Sequence, residues 1–280
     1  MNRGALGTIV ACFALCLAAG APARAEFKSD IEFAKAGDES LTLDVNVPEG
    51  KGPFPTAILV HGGGFINGTK QSYIKPIFEP LTQASFTWFT INYRLAPKNR
   101  YPACVEDVET AIRWVKAHAK EYKVDTDRIA LIGESAGGHL VSLVGARASG
   151  KTRVAAVVPF YAPHDLEGQA AAKGLGKSLS SLFGVTELND ATKKILREAS
   201  STTYVKHGMP PYLLIHGTSD EQVPYDLSVR FLAQMKAADN RCELYTIPEG
   251  RHGMGSWDQA HPEYKSFMID WLKRTLKVAH

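Results

Sequence analysis

The chain has 280 residues, of which 45% are hydrophobic and 22% charged, and its formal net charge at pH 7 is +3. This length and apolar content suffice for one large domain with a well-buried core. The small net charge gives no support for a nucleic-acid or membrane-surface partner. The sequence contains no CxxC pair and no HExxH helix, so it predicts no metal site and no cofactor.

The first 25 residues have the pattern of an export signal. Arg3 gives a positive start, residues 9–17 form an apolar core, and the Ala-Arg-Ala sequence at 23–25 offers a small-x-small cleavage site. The apolar run is shorter than the about 20 residues that a membrane-spanning helix needs. We therefore expect residues 1–25 to be a signal peptide, with no stable membrane anchor, and the protein to be secreted or periplasmic.

The cysteines bear on both the anchor and the compartment. Cys16 raises the alternative of a lipid anchor, but the bulky Leu15 stands before it where a small residue is expected. Cys104 and Cys242 are the cysteines of the predicted mature domain, residues 26–280. An oxidising compartment permits a disulfide between them, yet nothing in their spacing requires one, so we expect two separate buried thiols.

After the signal, the chain begins with a predicted hairpin. Residues 40–47 alternate in period two, as a half-exposed edge strand does, and residues 31–36 are expected to pair with them antiparallel. Residues 56–60 and 86–92 are apolar runs of the kind found in central parallel strands. Between these two runs, residues 73–84 have a helical pattern despite two prolines.

A glycine-rich loop, His61-Gly62-Gly63-Gly64-Phe65, follows the strand predicted at 56–60. This HGGG element supplies backbone N–H groups to the oxyanion hole of esterases and lipases, because glycines let the amides come within about 3 Å of a developing alkoxide. The alternative is a phosphate-binding loop. No lysine and Ser/Thr pair follows in P-loop spacing, however, and the GxGxxG fingerprint is missing, so the oxyanion loop is preferred.

The most informative motif is Gly-Glu-Ser-Ala-Gly at 133–137, between an apolar run at 128–132 and a helical pattern at 139–144. A serine between two glycines at such a strand–helix junction is typical of the nucleophile elbow. The turn is so sharp that the serine backbone is strained, and larger side chains at the glycine positions would collide with neighbouring elements. Ser135 is the candidate nucleophile, the alternative being an ordinary glycine-rich turn.

Strands and helices alternate through the rest of the chain. Residues 104–115 form an amphipathic helical pattern with one apolar face, made of Val105, Val108, Ile112 and Val115. Further strands are predicted at 154–160, 212–216 and 242–247, and further helices at 225–238 and 262–277. This alternation predicts a mostly parallel sheet covered by helices on both faces.

The serine needs a base, and the base needs an orienting carboxylate. Since Ser135 comes first, the expected chain order is serine, acid, histidine. Asp220 and His252 each follow a predicted strand, at the edge where a doubly wound sheet gathers its reactive groups. Glu221 and Asp226 are the alternatives to Asp220. The other histidines fit less well; the one at 61, for example, is expected to brace the glycine loop.

Residues 164–207 are much longer than a simple crossover between two strands and are rich in Gly, Ala, Ser and Lys. Residues 189–197 within this segment have a helical pattern. Long loops of this kind are often functional, so we expect a lid-like insertion or pocket wall over the reactive edge of the sheet. The alternative is a passive surface crossover.

Five motifs together resemble the α/β-hydrolase superfamily: HGGGF at 61–65, NYRLAP at 92–97, GESAGGH at 133–139, HGTSDEQVP at 216–224 and GRHG at 250–253. Within it, the chain is most similar to secreted carboxylesterases grouped with bacterial feruloyl and acetylxylan esterases, relatives of the hormone-sensitive-lipase group. The resemblance covers nearly the whole mature chain and is far more specific for fold than for substrate. It implies an α/β fold, the mostly parallel doubly wound sheet of the α/β hydrolases.

The resemblance also implies roles for single residues. These are Ser135 as nucleophile, His252 as general base and acid, Asp220 as orienting acid, and the backbones of Gly63, Gly64 and Ala136 as oxyanion donors. The chain departs from the family in two ways: only about 35 residues of the predicted mature chain precede His61, so we expect the large N-terminal cap of the lipase-like group to be absent, and Asn92 stands where many relatives carry Asp. Both departures favour small or carbohydrate-linked esters over long-chain lipids.

The expected function is therefore serine-dependent hydrolysis of short-chain esters, acetyl or feruloyl, on a small molecule or a plant polysaccharide. Four residues that follow strand ends are candidate pocket-wall residues, although each could equally be packing: Phe65, Tyr161, His164 and Trp257. An amidase or peptidase of the same fold is one alternative. A non-catalytic binding module is another, disfavoured because a candidate for every triad member is present. The oligomeric state is left open.

Overall fold

The structure, a computed structural model, describes residue 1 and residues 25–278. The predicted signal peptide, with Cys16, therefore lies almost wholly outside the described residues. Among the residues described, no helix has both the length and the apolar character needed to cross a membrane.

Eight strands of the described chain form one sheet in the order β1-β2-β4-β3-β5-β6-β7-β8. The strands are β1 Glu26–Ala36, β2 Glu39–Val47, β3 Phe54–Val60, β4 Thr87–Ile91, β5 Val124–Glu134, β6 Ala156–Phe160, β7 Tyr212–Gly217 and β8 Cys242–Ile247. β2 pairs antiparallel with both β1 and β4, and every other pairing is parallel. The predicted hairpin and the mostly parallel sheet are confirmed.

The helices are α1 Phe78–Gln83, α2 Ala103–Ala117, α3 Ala136–Arg147, α4 Leu166–Lys173, α5 Gly176–Phe183, α6 Asp190–Glu198, α7 Asp226–Ala237 and α8 Glu263–Thr275. They cover both faces of the sheet, and each face buries its own hydrophobic cluster. One cluster contains the predicted apolar face of α2 and residues of α3 and α7; the other contains residues of α1 and α8. Cys104 and Cys242 are buried free thiols, as expected.

The prediction that residues 40–47 form an edge strand is wrong. β1 is the edge, and β2 lies between β1 and β4. Its polar side chains are buried because another segment of the chain covers them. Asp44 lies 3.4 Å from the Nζ of Lys70 and accepts a 2.9 Å hydrogen bond from the amide of Asp30. Apolar and polar side chains do alternate along β2, but the side chains of both faces are buried.

The helix predicted at 73–84 is also shorter than expected. Tyr73 has a φ of +58°, which no α-helix accommodates, and only a 3₁₀ turn, Lys75–Ile77, precedes α1. Pro76 and Pro80 lie in the first turns of these two elements, where their missing N–H groups cost no intrahelical bond. The prolines therefore divide the segment into two short pieces.

The segment 164–207 contains α4, α5 and α6. The helix predicted at 189–197 is confirmed as α6, and Asn189 caps it by accepting a 3.0 Å bond from the amide of Thr192. Because β3, β5, β6, β7 and β8 are parallel, the loops that follow them meet at one edge of the sheet. The HGGG loop, the Gly-Glu-Ser-Ala-Gly turn, and the loops carrying Tyr161, Asp220 and His252 all lie there.

Candidate active site

Ser135 lies in a strained turn between β5 and α3, with φ +52° and ψ −117°. Its amide donates a 3.0 Å bond to the carbonyl of Phe160, which fixes the turn against β6. A Cβ on Gly133 would collide with the carbonyl of Gly137, and a Cβ on Gly137 would collide with the carbonyl of Val60. Both glycines are therefore required for the serine to stand above the sheet.

The structure brings Ser135, His252 and Asp220 together. The Nε2 atom of His252 lies 2.9 Å from the Oγ of Ser135, and its Nδ1 atom lies 2.7 Å from the Oδ2 of Asp220. A carboxylate only accepts hydrogen bonds, so it favours the tautomer that carries its proton on Nδ1. The Nε2 lone pair is then free to accept the serine proton.

Asp220 is held by more than the His252 imidazole. The amides of Gln222 and Val223 each donate a 2.8 Å bond to its Oδ1, and the Nε2 of His216 lies 3.3 Å from its Oδ2. Burial alone would raise the pKa of this carboxyl. The bonds from His216 and His252, with the charge of the imidazole, outweigh burial and hold the pKa well below its usual range. Asp220 is therefore ionised at neutral pH.

The carboxylates of Glu221 and Asp226, the alternatives to Asp220, do not contact the His252 imidazole. Glu221 is exposed on the same loop. Asp226 is 67% exposed and pairs with Arg230 at 2.9 Å on the outer face of α7. Of the carboxylates of Asp220, Glu221 and Asp226, only that of Asp220 bonds to His252.

The three backbone amides expected in the oxyanion hole all line the cavity above Ser135. Gly63 and Gly64 have φ values of +99° and +62°, a region that glycine adopts without strain. Within the described residues, the amides of Gly63, Gly64 and Ala136 donate to no protein group. Ala136 is the first residue of α3, whose N–H has no partner inside the helix. The structure thus leaves three free donors beside the serine.

His61 and Tyr93 support the glycine loop from below. The two rings stack at 4.4 Å, and the Tyr93 hydroxyl donates to the His61 carbonyl at 3.0 Å. Burial lowers the pKa of His61 to about 4, against a smaller opposite effect of its bond to the Gly62 carbonyl. The ring is therefore neutral at physiological pH. The bracing role expected of His61 is therefore borne out, and Tyr93, in the NYRLAP motif whose resemblance implies a structural role, is its partner.

Glu134, the residue before the nucleophile, was not predicted from the sequence to have a role. Its side chain is buried, and its Oε1 accepts a hydrogen bond from the amide of Gly62. Burial raises the pKa of Glu134 to about 7, although the Gly62 amide, the His252 imidazole and the Tyr161 hydroxyl act in the opposite direction. Its position inside the nucleophile motif was the signal that could have identified it.

A cavity of about 880 Å³ lies over the serine and is bounded on one side by the 164–207 insertion. Residues 173–179, which run from the end of α4 into the first turn of α5, form part of its wall. Of the four predicted pocket-wall residues, Phe65 and Tyr161 line the cavity. The cavity also has three lysines, Lys75, Lys173 and Lys177, and the carboxyl group of Glu134.

The other two pocket-wall predictions are wrong. His164 is fully buried, stacks on Phe231 at 4.2 Å, and bonds to Ser142 at 2.9 Å. Trp257 is buried behind Tyr161, with ring centroids 5.2 Å apart. Both residues follow strands that end near the site, but their side chains point into the packing beneath the cavity.

Comparison with known proteins places these features in a family. The BD-FAE family model matches residues 43–235. The chain is 32% identical over 225 residues to the probable carboxylic ester hydrolase LipM of Mycobacterium tuberculosis, covering 75% of this chain and 52% of that protein. It is 28% identical over 220 residues to the acetylxylan esterase of Xylanibacter ruminicola, covering 76% and 44%. The chain thus spans about half the length of the curated relatives it matches.

Among solved structures, the chain resembles the acetyl ester-xyloside bifunctional hydrolase from Caldicellulosiruptor lactoaceticus. The TM-score is 0.77 and the sequence identity 26%, with 88% of this chain and 96% of that one covered. The alternation of strands and helices, the order of the strands in the sheet and this structural similarity all indicate the α/β-hydrolase fold.

Proposed function

Because the chain belongs to the BD-FAE family and has the α/β-hydrolase fold, we propose that it is a serine esterase that hydrolyses short-chain carboxylic esters through an acyl-enzyme. One observation carries the proposal. The imidazole of His252 lies between the hydroxyl of Ser135 and the carboxylate of Asp220, at hydrogen-bond distance from both, at the floor of a cavity of about 880 Å³.

In the first step, the Oγ of Ser135 attacks the ester carbonyl carbon while the Nε2 of His252 takes the serine proton. The imidazole becomes a cation, and the ionised Asp220 stabilises it from the Nδ1 side. The carbonyl oxygen becomes an oxyanion. His252 then gives its proton to the alcohol oxygen as the C–O bond breaks, which leaves the acyl group on the serine.

The oxyanion is bound by the amides of Gly63 or Gly64 together with that of Ala136, which have no competing acceptor in the described chain. Each such donor contributes about 3 kcal/mol to the transition state. In the second step, His252 removes a proton from water, which attacks the acyl carbon. The same amides stabilise the second oxyanion, and the acid leaves as the serine recovers its proton.

For the substrate, we propose an acetyl or feruloyl ester on a small carbohydrate or a plant polysaccharide. Two relatives support the carbohydrate part, since their names describe acetylxylan and acetyl ester-xyloside hydrolysis. The signal-peptide pattern at 1–25 supports export to the periplasm or medium, where such polymers are met. We also propose that residues 1–25 are the signal peptide and that residues 26–280 are the hydrolase domain.

The test combines labelling with a substrate panel. A fluorophosphonate is expected to label the purified protein at Ser135, located by peptide mass spectrometry, and Ser135→Ala is expected to abolish both labelling and turnover. The panel contains acetylated xylan, feruloylated arabinoxylan, nitrophenyl esters of increasing acyl length and a nitroanilide. Retained activity in Ser135→Ala would overturn the nucleophile assignment. Anilide turnover that rivals ester turnover would indicate an amidase instead.

A further inference from the structure

The carboxyl group of Glu134 takes no part in the acyl-transfer steps above, yet it lies at the centre of the machinery. Only 3% of the residue is exposed, and it lines the floor of the cavity. Buried carboxyl groups are costly unless their oxygens are hydrogen-bonded. The partners of Glu134 belong to two other loops of the site.

The first partner is the HGGG loop. The amide of Gly62 donates to Oε1 of Glu134, across 72 positions of the chain. A Cβ on Gly62 would collide with the same carboxyl group, so the loop backbone lies directly against it. The next two residues, Gly63 and Gly64, carry the proposed oxyanion amides. Glu134 therefore holds the loop half of the oxyanion hole at a fixed distance from the helix half at Ala136.

The second neighbour is Tyr161, whose hydroxyl lies close enough to the Glu134 carboxyl to lower the pKa of that carboxyl. The same hydroxyl accepts a 3.3 Å bond from the amide of Met254, two residues after His252. The Tyr161 ring also packs edge-on against the His252 ring, with centroids 4.6 Å apart. One carboxyl group is thereby connected to the loop that carries the general base.

We propose that Glu134 is a positioning residue: its carboxyl group ties the oxyanion loop at 61–65 to the nucleophile turn and, through Tyr161, to the loop of His252. This inference rests on the proposed esterase function. One buried side chain thereby fixes the serine, the oxyanion donors and the base relative to one another. Catalysis is sensitive to displacements of about 1 Å among such groups.

The ionisation of Glu134 provides a readout that simple packing would not give. Its pKa, raised by burial to about 7, falls in the working range of an esterase. The groups that face it are His252 and the phenols of Tyr161 and Tyr93, whose pKa values burial raises well above the usual range. The two phenols therefore stay neutral near pH 7, whereas Glu134 changes charge there. The ionised carboxyl accepts the stronger bond from the Gly62 amide and favours the imidazolium form of His252.

The experiment compares Glu134→Ala and Glu134→Gln with Asp107→Asn. Asp107 lies on α2, and its buried carboxylate is paired with Arg94. Rates are expressed per phosphonate-labelled site, so that unfolded protein is not counted. We expect kcat of Glu134→Ala to fall about 100-fold with KM within about threefold, since positioning acts on the transition state. Asp107→Asn loses stability but keeps kcat per labelled site.

Glu134→Gln keeps an acceptor oxygen for Gly62 and loses the charge. We expect its kcat at pH 8 to recover to within about tenfold of the wild type, and the acid limb of its kcat/KM profile to become less steep, because the ionisation of the carboxyl group is gone. A trifluoromethyl ketone, which forms a tetrahedral adduct, is expected to lose affinity for Glu134→Ala in the same ratio as kcat/KM.

Wild-type kcat per labelled site in Glu134→Ala, or an unchanged pH profile in Glu134→Gln, would overturn the inference. These outcomes are distinct from a failure of the esterase proposal. In that case the wild-type protein itself would neither react with the phosphonate nor hydrolyse any ester of the panel.

Discussion

The Nε2 atom of His216 lies 3.3 Å from the Oδ2 atom of Asp220, the same oxygen that bonds to His252. His216 is itself fixed from the other side, with Nδ1 2.8 Å from the Oγ of Ser228. Both side chains of the His216–Asp220 pair are fully buried. The acid of the triad thus has a second imidazole beneath it, which limits the directions in which its carboxylate can turn.

This relationship predicts that His216→Phe lowers kcat about tenfold and also lowers thermal stability, because it removes an imidazole that lies against the buried carboxylate and bonds to the Val223 carbonyl of the same loop. His216→Gln restores an amide donor and is expected to recover part of both. Steady-state kinetics and melting temperatures of the two variants test this. Equal kcat in the phenylalanine variant and the wild type would mean that the Gln222 and Val223 amides suffice to hold Asp220.

Asp220→Asn is expected to retain the fold and lose about 10⁴-fold in kcat, because an amide can turn its N–H₂ toward His252 and favour the wrong tautomer. The variant Asp226→Asn, on the outer face of α7, is the matched control and is expected to keep full activity. Comparable losses in the two variants would show that the carboxylate at 220 has no special role.

Gly63→Ala is expected to reduce kcat about 100-fold, since the added Cβ collides with the carbonyl of Asn67 and displaces an oxyanion amide. The control is Gly174→Ala on the cavity wall. Gly174 also has a positive φ, +77°, but a Cβ there meets nothing within 4 Å. Backbone strain alone would affect both variants; loss of an oxyanion donor affects only the first. Kinetics with an aryl acetate separates these two effects.

Local chemistry explains why much of the site was predictable from the sequence. The HGGG loop and the Gly-Glu-Ser-Ala-Gly turn each require particular residues at fixed spacing, and strand–helix alternation predicts that the loops after parallel strands meet at one edge. The placement of Ser135, Asp220 and His252 follows from these two facts. None of the three depends on knowing which side chains pack against which.

The predictions that did not hold depend on such packing. Whether His164 and Trp257 point into the cavity or beneath it is decided by Phe231 and Tyr161, which are distant in sequence. The burial of the polar face of β2 is decided in the same way by Lys70, from the loop after β3. Glu134 was overlooked because its partners, Gly62 and Tyr161, become neighbours only when the sheet has formed.

Buried histidines predict a loss of stability in acid. Burial lowers the pKa values of His61 and His139 to about 4, so between pH 6.5 and 4 the unfolded chain binds protons that the folded chain does not. Stability therefore falls as the pH falls through this window, by up to about 3 kcal/mol for each histidine. Calorimetric melting at several pH values tests this. A melting temperature that stays constant from pH 7 to 4 would contradict it.

Glu134 acts in the opposite direction, because its folded pKa of about 7 lies above the ordinary value of 4.5. Between these two values the folded chain holds a proton that the unfolded chain releases, so this group adds stability as the pH falls from 7 to 4.5. Glu134→Gln lacks this compensation. Its melting temperature is expected to fall more steeply than that of the wild type over the same range, which the same calorimetric series measures.

The lysines of the cavity predict a preference for anionic esters. Lys75, Lys173 and Lys177 line it, and in the described part of the chain none has a carboxylate oxygen within 4 Å. Among the described residues that line the cavity, Glu134 has the one carboxyl group, and it is buried. Clefts lined by one sign of charge raise the local concentration of oppositely charged substrates.

We therefore expect kcat/KM for an acetylated uronic-acid oligosaccharide to exceed that for its neutral analogue at low ionic strength. The double variant Lys173→Glu/Lys177→Glu is expected to lower the ratio about three- to tenfold, and salt should reduce the difference because exposed charges are screened. Lys120→Glu/Lys151→Glu makes the same change of net charge away from the cavity, and its ratio is expected to match the wild type. A similar decline in both double variants would indicate that overall charge, rather than the cavity lysines, attracts the anionic ester.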